Sequence, residues 1–199
     1  MGEVKRRLVH ASGTAAPAIY LLGIVTWDQL GWLLVLGSVI ALVLEILRLF
    51  VGLDWRIYEE LTREYEQENL AGYALYMFAM TAVVLVFEPV VAIPAVLMLT
   101  IGDPISGYLG SGELRDIKQT STLFVMFAVC FGLAIPFTWY ALANPVTALV
   151  AAVLGALVAT LADGVKPVVF SYVIDDNLTI PIGAAATLWI ALRYLPAGV

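Results

Sequence analysis

Charge is nearly missing from long stretches of this chain and crowded into short ones, and that pattern limits what it can fold into. Across residues 12–51, 70–101, 120–162 and 178–196 the only formally charged side chains are Asp28, Glu45, Arg48, Glu88 and Arg193. Crossing the hydrocarbon layer takes about 20 apolar residues in a helix. A soluble chain of 199 residues with 62% hydrophobic and 13% charged side chains has more apolar surface than one core can hide. The expected class is therefore all-α, a polytopic transmembrane helical bundle of about seven helices forming one domain over 1–199.

The expected spans are 12–27, 30–51, 70–87, 89–101, 120–141, 145–162 and 178–196. The first is read as retained, because Thr14–Pro17 is too weakly hydrophobic for a cleavable signal. The fourth is short and is expected to end at Gly102-Asp103. Polar segments fill 52–69, 102–119 and 163–177. With the N-terminus in the cytoplasm, every one of the 10 lysines and arginines except Arg193 faces inward, a strong positive-inside bias. Of the 16 acids, only Asp28 and Glu88 fall outside. The reading is a multi-pass protein of the cell membrane with its chemistry on the cytoplasmic face. A net charge of −6 argues against a nucleic-acid partner, which would call for basic patches. The single Cys130 leaves no disulfide within the chain and suits core packing. Self-association is left open.

Trp55, Tyr58, Leu61 and Tyr65 recur at helical spacing in 54–69, which suits a helix lying in the membrane interface or a plain connector. Four groups of residues carry more chemistry. Lys5-Arg6-Arg7 and His10 stand at the mouth of the first span, with Arg6 and His10 on one helical face; they can hold a phosphate or anchor the topology. His10 is the only histidine, which excludes a multi-histidine metal site. Glu45 and Arg48 lie at membrane depth, three residues apart, where ionisable groups are costly and need a partner or water; Arg48 can also snorkel to the surface. Gly102-Asp103-Pro104, Ser106-Gly107, Gly110 and Gly112 form a glycine-rich stretch followed by Arg115 and Lys118. Glycines admit phosphate oxygens close to backbone N–H groups, an aspartate at a span end can take Mg²⁺, and Lys118 offers a mobile charge. The plain alternative is a flexible loop. Last, Asp163 and Lys166 precede Asp175-Asp176-Asn177 and Pro181. One such residue suffices to cap a helix, so the surplus carboxylates point to a metal-bridged phosphate, against the alternative of a solvated acidic loop.

Taken together, Arg6-Arg7-x-x-His10-x-x-x-Gly13, Arg63-Glu64-Tyr65-Glu66, Leu70-Ala71-Gly72-Tyr73, Gly102-Asp103-Pro104-Ile105-Ser106 and Asp175-Asp176-Asn177-Leu178-Thr179-Ile180-Pro181 occur in order over essentially the whole chain. This arrangement resembles the CTP-dependent polyprenol kinases, the family of dolichol kinase and phytol kinase, related to phosphatidate cytidylyltransferases. Where many members carry Lys-Ser…Glu-Gly-Ser, this chain reads Lys118-Gln119-Thr120-Ser121-Thr122-Leu123.

The resemblance implies transfer of the γ-phosphate of CTP to the hydroxyl of an isoprenoid alcohol such as dolichol, with Mg²⁺ as cofactor and the bilayer delivering the lipid. It implies Asp103, Asp175 and Asp176 as metal ligands. Lys118, Lys166, Gly102, Gly107, Gly110, Asn177, Arg6 and His10 would lie around the nucleotide. Glu66 or Asp163 would accept the alcohol's proton beside the catalytic Asp103 and Asp176, and Glu45, Arg48 and Arg63 would be further buried polar groups. Two other readings stand beside it. A lipid cytidylyltransferase would use the same donor and metal, and a transporter would use Glu45, Arg48 and helices broken near Pro94 or Pro136.

Overall fold

The computed structural model describes residues 2–52, 55, 62, 66–67, 69–110, 117–166, 168–169 and 172–195. Among these the chain forms nine α-helices: α1 (Gly2–Ser12), α2 (Ala15–Leu21), α3 (Trp27–Ile46), α4 (Gly72–Val86), α5 (Pro89–Leu97), α6 (Asp103–Leu109), α7 (Thr120–Ala141), α8 (Pro145–Gly164) and α9 (Asp176–Tyr194). A wide π-helical turn, Leu47–Val51, extends α3, and a second, Met98–Gly102, joins α5 to α6. Two-residue strands β1 (Val168–Val169) and β2 (Tyr172–Val173) pair antiparallel, Val168 opposite Val173. This small hairpin lies within the segment between α8 and α9, and the described fold is otherwise helical, as expected.

The helices start where the sequence supplies caps. Thr26 and Gln29 form a reciprocal capping box at α3, and Asn144 accepts from the N–H groups of Val146 and Thr147 ahead of Pro145, so exposed donors at both starts are satisfied. Packing then follows residue size. On α8, Ala148, Ala151, Ala152, Ala156 and Ala159 are fully buried or nearly so. A Cβ on Gly155 would meet Leu188 of α9 at 2.8 Å, and one on Gly164 would meet Leu123 of α7 at 2.7 Å. Small residues let these backbones approach closely, as helices do within lipid, where burial alone gives no drive to associate. Large apolar side chains point the other way. Leu36, Val39 and Val43 on α3, Phe124 on α7 and Leu157 and Leu161 on α8 are exposed, while Thr100, Ser106, Thr122 and Asp163 are buried. That inverted distribution suits a hydrocarbon surrounding.

Four helical runs are long and apolar enough to cross a membrane: Trp27–Val51, Pro89–Leu109, Thr120–Ala141 and Pro145–Gly164. The chain is thus a helical bundle with membrane-spanning character. Helix α4, with 15 residues, rises about 22 Å, short of the roughly 30 Å core.

Two expected spans look different in the structure. The segment 12–27 is not one helix, because α1 and α2 break at Gly13-Thr14. The Tyr76 hydroxyl donates to the His10 carbonyl at 2.8 Å and fills the space where a Cβ on Gly13 would lie, 1.6 Å away. The fourth span does not stop at residue 101. Its helix runs on to Leu109, because the π turn lets the Asp103 N–H reach the Met98 carbonyl, and Pro104 falls in the first turn of α6, where its missing N–H costs little.

Candidate functional site

Three carboxylates from three helices converge. Asp103 opens α6, Asp163 lies in the last turn of α8 and Asp176 opens α9; one oxygen from each lies within 4.8 Å of the others. Asp163 and Asp176 are buried, and Asp103 is partly so. Long separations in sequence are closed by the packing of α9 on α8 and α5, and of α6 on α7.

Each carboxylate has its own nitrogen neighbour. His10 Nδ1 is 3.2 Å from Asp103 Oδ2, and its ring stacks on Tyr76 with centroids 4.6 Å apart. Lys118 Nζ donates to Asp163 Oδ1 at 2.6 Å and to Ser106 Oγ at 3.0 Å. The Ser106 hydroxyl donates to Asp163 Oδ2, so both oxygens of that buried carboxylate are engaged. Lys166 Nζ lies 2.8 Å from Asp176 Oδ2. Three negative charges this close, away from water, repel unless compensated. The ammonium groups of Lys118 and Lys166 supply compensation at two of them. The donor set is hard oxygen, the kind that Mg²⁺ prefers.

The start of α9 separates two neighbouring aspartates by role. Asp175 is the N-cap: its Oδ1 accepts from the Asn177 backbone N–H at 2.9 Å and from Asn177 Nδ2 at 2.6 Å. The expectation of Asp175 as a metal ligand is corrected accordingly. Its carboxylate is turned to the helix start, and Asp163 completes the cluster instead. Because Asp175 holds the amide nitrogen, Asn177 Oδ1 faces elsewhere, buried and with no hydrogen-bond partner among the described residues.

The glycine-rich cradle is corrected too. Gly102 is buried in a helical turn, and the place of its missing Cβ is closed by Met126 and Cys130 at 3.0–3.2 Å. It serves close packing on α7, not approach of a phosphate. Gly107 lies within α6 under the Arg7 guanidinium, and Gly110 lies near the Lys118 side chain. Gly112 and Arg115 lie outside the described residues, as do Arg56, Tyr58, Leu61, Arg63, Glu64 and Tyr65. The interfacial reading of 54–69 therefore falls mostly outside them.

Arg6 is half-buried on α1. Glu66 is buried and sits beside Gly72, not within the carboxylate cluster: a Cβ on Gly72 would meet Glu66 Oε1 at 3.3 Å and Asn177 Nδ2 at 2.9 Å. Glu45 and Arg48 pair with each other, Nη2 to Oε2 at 2.7 Å. Arg48 does not snorkel to the surface, because its side chain is 10% exposed and bonded on all sides.

Tyr76 is a site residue that the motif reading passed over, and Ser106 stood in the glycine-rich stretch without a role of its own. Ser106 had a signal: three residues after Asp103, it shares that residue's helical face. Tyr76 had none, since a tyrosine in an apolar helix reads equally well as a lipid-facing or packing side chain. No family model, curated protein or solved structure matches the chain.

Proposed function

We propose that this protein is a membrane lipid kinase that transfers the γ-phosphate of CTP to the hydroxyl of a polyprenol such as dolichol. The observation that carries the reading is the convergence of Asp103, Asp163 and Asp176 with Lys118, Lys166 and His10 around them. Phosphoryl transfer is mostly positioning and neutralisation of charge, and carboxylates set among cations are the parts it needs. The choice of CTP and of an isoprenoid alcohol rests on the sequence resemblance.

In this reading Asp103, Asp163 and Asp176 hold Mg²⁺, which would offset the phosphate charge. Lys118 and Lys166 bind phosphate oxygens, and Asn177 offers its unpartnered carbonyl to the ligand. Glu66 takes the proton of the alcohol. The full topology we propose is seven crossings with the N-terminus and the site on the cytoplasmic face of the cell membrane, where a bilayer-bound alcohol meets a soluble nucleotide.

The test is to incubate purified protein with γ-labelled CTP or ATP, Mg²⁺ and a panel of geranylgeraniol, phytol, dolichol and diacylglycerol. Label in the polyprenol and release of CDP support the kinase. Release of pyrophosphate would move the assignment to a cytidylyltransferase, and absence of any turnover would remove it.

A further inference from the structure

The Glu45–Arg48 pair forms a closed network whose reach extends toward the site. Arg48 lies in the π turn that ends α3. Its Nε and Nη2 donate to the two oxygens of Glu45 at 2.9 and 2.7 Å. Its Nη1 donates to the carbonyls of Glu66 and Gln67, each at 3.1 Å, and Nη2 also donates to the carbonyl of Asn69. All five guanidinium N–H groups are thereby used. Glu45, 1% exposed, further accepts from the Ala71 backbone N–H at 3.0 Å and from the Tyr73 hydroxyl. Four of its lone-pair sites are filled.

Nothing in this network waits for a permeating ion, so its charges do not mark a path through the bilayer. Every contact beyond the pair goes instead to the stretch from Glu66 to Tyr73. That stretch carries Glu66 toward Asn177 over Gly72, the one residue whose lack of a side chain leaves room for both. Asn177 in turn follows the cluster carboxylate Asp176 and bears the unpartnered carbonyl.

We propose that Glu45 and Arg48 are positioning residues. They fasten the 66–73 stretch to the end of α3 so that the Glu66 carboxylate is held over Gly72, on the side where Asn177 and the start of α9 lie. Arginine is required for geometric reasons. A lysine keeps the charge, but its single ammonium cannot fork to Glu45 and to three backbone carbonyls at once.

Two measurements decide this, and only the second rests on the kinase reading. In the first, Glu66→Cys is labelled with a neutral maleimide, with buried Cys130 as the internal negative control and Gln67→Cys, at an exposed position, as the positive one. Adding Arg48→Lys should raise the labelling rate at position 66 about tenfold while Cys130 stays unlabelled, as local release without global unfolding requires. Equal rates with and without Arg48→Lys would overturn the proposal. Should Arg48→Lys not be recovered folded, Tyr73→Phe, which removes one hydroxyl from the same network, carries the test in the same direction.

In the second measurement, Arg48→Lys should lower kcat about 10²-fold, the scale of a 1 Å misplacement, with the KM for nucleotide nearly unchanged. In a Glu66→Gln background that loss should vanish, because Arg48 acts through Glu66. Fully additive losses would overturn it. A wild-type protein that transfers no phosphate would remove the kinase reading and leave the labelling result to judge the positioning role.

Discussion

Among the described residues, two buried ionic assemblies are built on opposite plans. Glu45 and Arg48 balance one charge against one, and every donor and acceptor has a partner. The cluster of Asp103, Asp163 and Asp176 gathers acids in excess of the lysines beside it. A closed network fixes a conformation and asks for nothing more. An acid-rich cluster is under like-charge repulsion and gains when a cation arrives. The first arrangement is what holding a shape requires, the second what binding and chemistry require.

That contrast can be broken most severely by removing a cluster carboxylate. Asp103→Asn or Asp176→Asn should abolish phosphoryl transfer, a loss of about 10³-fold or more, while the protein still inserts and folds. Neither change should lower Tm, because each relieves repulsion; gains of about 0.5–2 kcal/mol are typical when a strained functional site is relaxed. Wild-type rates in either variant would sink the assignment. A fall in Tm together with activity would mean that the cluster is structural.

The closed pair should respond in the reverse sense. Glu45→Ala or Arg48→Ala strands a buried charge and should cost about 3–5 kcal/mol, seen as a large drop in Tm or in the denaturant midpoint. Replacing both with apolar residues of similar volume should cost less than either single change. If the double variant is worse than the singles, the two assemblies do not differ in the way described.

A smaller effect tests how α1 is brought to the cluster. Gly13→Ala puts a methyl where the Tyr76 hydroxyl lies and should cost about 1–3 kcal/mol, the usual penalty of overpacking. Tyr76→Phe in the same chain should recover part of it by removing the clashing oxygen. Since Tyr76 also stacks on His10, Gly13→Ala should weaken activity as well.

Much of this could be read from residue types, for identifiable reasons. The boundaries of α7 coincide with the expected 120–141, since a long uncharged run between polar segments leaves little choice. Asp103, Asp163 and Asp176 stood out because carboxylates at the ends of apolar runs are costly without a purpose. What stayed hidden depended on side chains meeting across helices. A π turn has no sequence signature to separate Gly102 in a helix from Gly102 in a loop. The break at Gly13 needs knowledge of where the Tyr76 hydroxyl ends. Five-way saturation of Arg48 involves backbone carbonyls, and any sequence supplies those.

The adjacent pair Asp175 and Asp176 gives the finest test of the comparison, because two identical side chains one residue apart are assigned to different plans. Successive side chains around a helix start point about 100° apart, so one faces the cluster and the other turns back to cap. Asparagine caps a helix about as well as aspartate, hence Asp175→Asn should leave Tm within a few tenths of a kcal/mol. It should also leave Mn²⁺ affinity, measured by electron paramagnetic resonance, nearly unchanged. Asp176→Asn should weaken that affinity by at least the roughly 10–100-fold that losing a group behind a metal ligand costs. The carboxylate of Asp175 does hold the Asn177 amide nitrogen, and an asparagine there can present either end of its own amide. A modest rise in the KM for nucleotide is therefore expected for Asp175→Asn, from a carbonyl no longer fixed in direction. Equal loss of Mn²⁺ binding in the two variants would make Asp175 a ligand after all and merge the cap with the cluster.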